Sequence, residues 1–220
     1  MIAGDFRNAA RGAGVQTAVF VKELWRYPVK SMGGERLDSA DLREDGIEGD
    51  RVVHAVDAHG RLVTARSHPA LLAHRASLGS GGEPLVDGRP WESALVDGVR
   101  LVRAAGGHRF DILPLLVATD GAIAAFGRDG RRLRPNIVVG GVEGLAEREW
   151  EGRRLRIGRA VVRLEDLRER CVMTTFDPDT QEQDVEVLRS IRRNFGGRLA
   201  LNASVDVPGT IRVGEPVELA

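Results

Sequence analysis

What most constrains this chain is how often its apolar runs are interrupted. β-Branched and apolar stretches are cut at short intervals by turn pairs: Gly33-Gly34, Asp45-Gly46, His59-Gly60, the run from Gly79 to Gly82, Asp97-Gly98, Asp129-Gly130 and Gly140-Gly141. Short strands separated by such turns point to a barrel or a sandwich. Strands are expected over residues 18–27, ended by Pro28, then 35–42, 99–102, 137–141, 198–202 and 210–213. The stretch 52–66 reads as a hairpin around His59-Gly60, with Arg51 at one end and Arg66 at the other, and 155–158 with 160–164 reads as a second pair. Only two helices stand out. One covers 119–126 and is closed by Gly127. The other covers 184–195, with Val185, Leu188, Ile191 and Phe195 near one face and Gly196-Gly197 as its stop.

A chain of 220 residues with 42% hydrophobic content can bury one good core or two small subdomains that share an interface. Its 32 basic and 32 acidic residues cancel, which argues against a general nucleic-acid binder, since that role needs a basic excess. Arginine greatly outnumbers lysine. A guanidinium grips a phosphate or carboxylate with two parallel hydrogen bonds, so local anion sites remain open to this chain. With one cysteine no internal disulfide can form, in keeping with a reducing cytoplasm. Neither a signal-peptide pattern nor a bilayer-length apolar run is present, so the expectation is a soluble, cytoplasmic protein without a membrane partner. Residues 1–16, rich in Ala, Gly and Arg, read as a poorly ordered leader.

Cys171 is where any thiol chemistry must occur. It follows Arg168-Glu169-Arg170 and precedes the turn signature Asp177-Pro178-Asp179, so it lies where a strand gives way to a loop. A lone cysteine is often a small buried hydrophobe, whereas two nearby arginines favour the thiolate that binds metals and attacks electrophiles. Three further places offer anion contacts. The turn from Tyr27 to Gly34 presents Lys30, Ser31 and several backbone amides, and it reads equally as a solvated connection. Arg51 begins a strand, and Arg134 stands at the mouth of the buried strand that follows Asn136. His54, His59, His68, His74 and His108 show no metal-ligand spacing.

Several of these pieces recur together in one family. Tyr27-Pro28-Val29-Lys30-Ser31, Gly49-Asp50-Arg51, Thr64-Ala65-Arg66 and Arg134-Pro135-Asn136-Ile137-Val138 occur in that order, followed by Arg170-Cys171 and Pro208-Gly209-Thr210-Ile211-Arg212-Val213-Gly214. In this order the chain resembles MOSC-domain proteins, in the branch of the mitochondrial amidoxime reducing component and its bacterial relatives. The resemblance implies a mainly β fold with a few helices (α+β). An N-terminal β-barrel subdomain over 17–110 would pack on a MOSC β-barrel domain over 111–220. It implies a molybdenum–molybdopterin cofactor, with Cys171 as catalytic metal ligand and Lys30, Ser31, Arg51, Arg134, Asn136 and Arg170 around the phosphate and pterin. It further implies reduction of N-hydroxylated or similar oxygenated small substrates. The chain departs from the family before Pro114, where Ile112 and Leu113 replace hydroxyl residues that make polar cofactor contacts. No iron–sulfur cysteine cluster and no flavin or nicotinamide fingerprint is present, so electrons are expected from a separate donor protein. Two other readings remain open: a sulfur carrier that forms a persulfide on Cys171, and a non-catalytic cofactor-binding module.

Overall fold

The computed structural model describes residues 18–94, 96, 98–104 and 109–220. The expected leader, Asp97 of the Asp97-Gly98 turn and His108 lie outside the described residues. The chain runs through β1 (Phe20–Arg26), β2 (Glu35–Leu37), β3 (Ser39–Arg43), β4 (Gly46–Ile47), β5 (Val53–Val56) and β6 (Leu62–Val63). Next come β7 (Ala76–Leu78), β8 (Pro84–Val86), β9 (Arg89–Pro90), β10 (Arg100–Arg103), β11 (Leu115–Thr119), α1 (Asp120–Phe126) and β12 (Ile137–Gly140). The last part holds β13 (Arg154–Ile157), β14 (Ala160–Glu169), α2 (Val185–Phe195), β15 (Arg198–Val207), β16 (Gly209–Arg212) and β17 (Val217–Leu219). The fold is mainly β, with two α-helices among the described residues, in keeping with the turn pattern.

Eight strands form the largest sheet, in the order β17-β13-β14-β15-β11-β12-β1-β2. Its core is built from Val21, Leu24, Val117, Ile137, Leu155, Leu164 and Leu201, all within 1% of complete burial. Strands from both sides of residue 110 share this sheet, because β1 pairs antiparallel with β12, and they share a separate three-stranded sheet in which β16 pairs with β3. A second core gathers Val29, Met32, Val53, Ala55, Leu71 and Val86 from the N-terminal half. The turn after β1 and the end of β14 both line one cleft.

Local chemistry explains where the elements stop. The Thr119 hydroxyl accepts from the Ala122 amide at the start of α1, and Gly127 closes it in the left-handed conformation. In α2, Asp184 caps the Glu186 amide and Gly196 ends the helix at φ 63°. The buried stripe of α2 is Val187, Ile191 and Phe195, so Val187 replaces the expected Val185, which occupies the first helical position and is 49% exposed. The expected strand over 35–42 breaks at Asp38, which lets β2 join the large sheet while β3 pairs elsewhere. β11 lacked any alternation in sequence because all five of its residues are buried. It pairs in parallel with β12, and both faces of such a strand are covered.

Candidate active site

Lys30, Ser31, Arg51, Arg134, Asn136, Arg170 and Cys171 all line one cleft of about 750 Å³, its mouth included. Three of them, Ser31 (φ 71°), Arg51 (φ 52°) and Arg134 (φ 58°), hold the left-handed backbone conformation. A bulky residue adopts it only where its surroundings compel it, and such strain gathers at functional sites.

The organising side chain beneath them is Tyr27. Arg134 stacks on its ring at 4.3 Å and Arg51 at 5.0 Å. The ring hydroxyl donates to the Pro135 carbonyl at 3.2 Å, and burial pushes the phenol up to about 12. Asp50, fully buried, accepts from the Tyr27 amide at 2.7 Å and pairs with the Arg51 guanidinium. Arg51 also donates to the Asn136 side-chain oxygen at 3.3 Å. That oxygen accepts from the Leu116 amide too, while the Asn136 amide nitrogen donates to the Trp25 carbonyl. Asn136 therefore ties β1, β11 and Arg51 together from within the cleft wall.

Two half-buried arginines have no ion pair among the described residues, and each encloses an unpartnered nitrogen. Arg134 donates from Nη1 to the Met32 carbonyl at 2.6 Å, and its Nη2 is buried without a partner. Arg170 donates from Nη2 to the Leu133 carbonyl at 2.7 Å, and its Nε is buried without a partner. Burial pulls each guanidinium down to about 10. A buried cation with an idle N–H is costly unless an anion meets it. Cys171 follows Arg170 directly. Its carbonyl accepts from the Thr174 amide at 3.1 Å and the Thr174 hydroxyl at 2.8 Å, which winds the next four residues into a 3-10 turn. The thiol is free and partly exposed.

Three groups absent from the expected set complete the wall: Arg66, Asp111 and Arg168. Asp111 bridges Lys30 at 2.8 Å, Arg66 at 2.7 Å and Arg168 at 3.5 Å. Hydrogen bonding with Cys171 is the main influence that raises Arg66, and Cys171 also acts on Arg168 and Arg170. Arg66 had a visible signal at the end of the 52–66 hairpin and Arg168 had one beside Cys171; Asp111 had none, and it meets Lys30, Arg66 and Arg168 across large sequence separations. Leu113 lines the cleft beside them, and Ile112 is 56% exposed. Burial alone would raise Asp111, but its hydrogen bond to Lys30 and the charges of Lys30, Arg66 and Arg168 outweigh that and hold it below the usual carboxylate range. Its ion pairs thus stabilise the fold fully above the unfolded carboxylate pKa, and that stability is lost as pH falls through the lower folded value. Asp111→Asn is expected to flatten the acid limb of a melting-temperature profile; an unchanged slope below about pH 5 would contradict this.

Among the described residues no group of three or more His, Cys, Asp or Glu side chains could hold a metal ion, so a metal at Cys171 needs ligands that these residues do not supply. Among them, too, no helix is long and apolar enough to cross a membrane.

A mainly β fold with a thiol set in an arginine-lined cleft defines the class. Residues 18–95 match the MOSC N-terminal beta barrel domain and residues 123–218 match the MOSC domain, so the chain belongs to the MOSC-domain proteins. It is 26% identical to mitochondrial amidoxime-reducing component 1 of Homo sapiens, over 90% of this chain and 82% of that protein. It is also 35% identical to a molybdenum cofactor sulfurase of Bombyx mori, over 36% of this chain and 10% of that protein. Among solved structures, the YuaD protein of Bacillus subtilis superposes with a TM-score of 0.49 at 16% identity, covering 92% of this chain and 95% of that one.

Proposed function

We propose that this chain holds a molybdenum cofactor in the cleft and acts as an oxidoreductase that removes oxygen from N-hydroxylated or similar small molecules, fed by a separate electron-donor protein. The observation that carries this reading is the free Cys171 thiol beside two half-buried arginines, each with an unpartnered N–H. That donor set suits a group that combines an anionic end with a soft metal. Lys30, Ser31 and Arg51, on the strained turns, would receive the phosphate. Arg170 would donate its idle N–H to the phosphate as well and Arg134 its own to the pterin, with Asn136 holding Arg51 in place. The Cys171 thiolate would ligate the metal. When bound, the cofactor supplies two-electron redox chemistry at the metal. The chain's own residues hold its charge and orient it, and the partly exposed sulfur keeps that end open to a small molecule. The similarity to an amidoxime-reducing component over most of the chain favours this substrate class.

A second reading, a sulfur carrier with a persulfide on Cys171, is favoured by the similarity to a molybdenum cofactor sulfurase. The deciding measurement is the molybdenum-to-protein ratio for wild type and Cys171→Ser, purified from a host that makes the pterin cofactor. Near-stoichiometric metal is expected in wild type, with a loss of tenfold or more in the variant. Well-folded wild type that lacks both metal and pterin would reject the molybdoenzyme and favour the sulfur carrier. Bound pterin without metal or activity would leave a non-catalytic module.

A further inference from the structure

A second cavity, of about 680 Å³ with its mouth, shares Arg132, Arg134 and Met173 with the cleft. Its other walls differ in kind: Trp25, Tyr27, Leu72, Phe176 and Pro178 make them largely aromatic and apolar. Three of its lining side chains carry a buried polar atom without a partner. Arg132 donates from Nη2 to Asp177 at 2.8 Å and from Nη1 to the Thr174 carbonyl at 3.4 Å, leaving Nε idle. Arg134 leaves Nη2 idle. Gln181 donates from Nε2 to the Pro178 carbonyl at 3.2 Å, leaving Oε1 with nothing to accept. Gln181 is also held at φ 65°, in the region that favours glycine. Buried polar groups are nearly always partnered, and those that are not point to a ligand or water.

We infer that this cavity binds a planar aromatic carboxamide, its ring against the aromatic walls, its carbonyl accepting from Arg132 Nε and its N–H donating to Gln181 Oε1. An idle donor on Arg132 and an idle acceptor on Gln181, both among the lining side chains, call for a polar edge that both accepts and donates. A carboxylate gives no N–H to Gln181, and Asp177 and Asp179 already stand on this wall. A plain hydrocarbon ring would leave both atoms unmet. The terminal torsion of Gln181 is soft, so its oxygen can turn toward the ligand. This site does not depend on the molybdenum reading, since Cys171 is not among its lining residues.

The test uses full-length protein with 15N-labelled tryptophan, titrated with benzamide and separately with benzoate, while the indole signals are followed by NMR. Only the Trp25 signal is expected to shift, saturably, with a dissociation constant of about 1 mM or tighter for a ligand of this size. Benzoate should bind at least tenfold more weakly, Gln181→Leu should weaken benzamide at least tenfold, and Cys171→Ser should leave its binding intact. No saturable shift, benzoate binding as well as benzamide, or full affinity in Gln181→Leu would overturn the inference. Should Gln181→Leu misfold, Phe176→Leu keeps bulk while removing the ring, and undiminished binding there would overturn it equally.

Discussion

Asp50→Ala is expected to destabilise the fold by about 3–5 kcal/mol, because it strips a buried ion pair of one partner. For a chain of this size that corresponds to a melting temperature lower by roughly 6–20 °C. Asp50 is completely buried and does two jobs with its two oxygens. One accepts from the Tyr27 amide, the other pairs with Arg51, and both partners belong to the cleft floor. Alanine leaves the Tyr27 amide without its acceptor and the Arg51 guanidinium without its carboxylate, with only the Asn136 oxygen still accepting from it, and the stack of Arg51 on Tyr27 loses its anchor. Asp50→Asn keeps an acceptor for the amide and removes only the charge, so its loss should be smaller. Thermal melts of both variants check the order; a drop under about 2 °C for Asp50→Ala would mean that the pair contributes little.

The parts of this architecture readable from sequence were those set by local chemistry. Cys171 could be placed at a strand end because Asp177-Pro178-Asp179 marks the turn beyond it, and the last helix declared its ends through Asp184 and Gly196. Arg134 was legible because it directly precedes the buried run 137–141. The Asp111 hub was not legible, since Lys30, Arg66 and Arg168 meet it across separations that no periodicity records. Asn136 shows a related limit. Sequence placed it in the cleft, but its role in joining β1, β11 and Arg51 depends on pairings set by the whole sheet. The same holds for β2 and β3, which read as one strand until the sheet order separates them.

Arg170→Met should separate stability from binding. Arg170 is half-buried, lacks a carboxylate partner and encloses an idle Nε, so the ligand-free protein bears its desolvation without return. Methionine removes that cost and forfeits one hydrogen bond to the Leu133 carbonyl, about 1 kcal/mol. Metal-free Arg170→Met is therefore expected to melt at the wild-type temperature or a few degrees above it. Its response to anions should move the other way. Pyrophosphate at a hundred times its dissociation constant stabilises a one-site protein by about 2.7 kcal/mol, and the variant should lose most of that gain. Residues kept for function rather than for the fold carry this signature, a more stable empty protein that binds less well. If the metal-free variant instead melts well below wild type while its pyrophosphate gain is unchanged, Arg170 serves the fold, and the anion contact proposed for it is wrong.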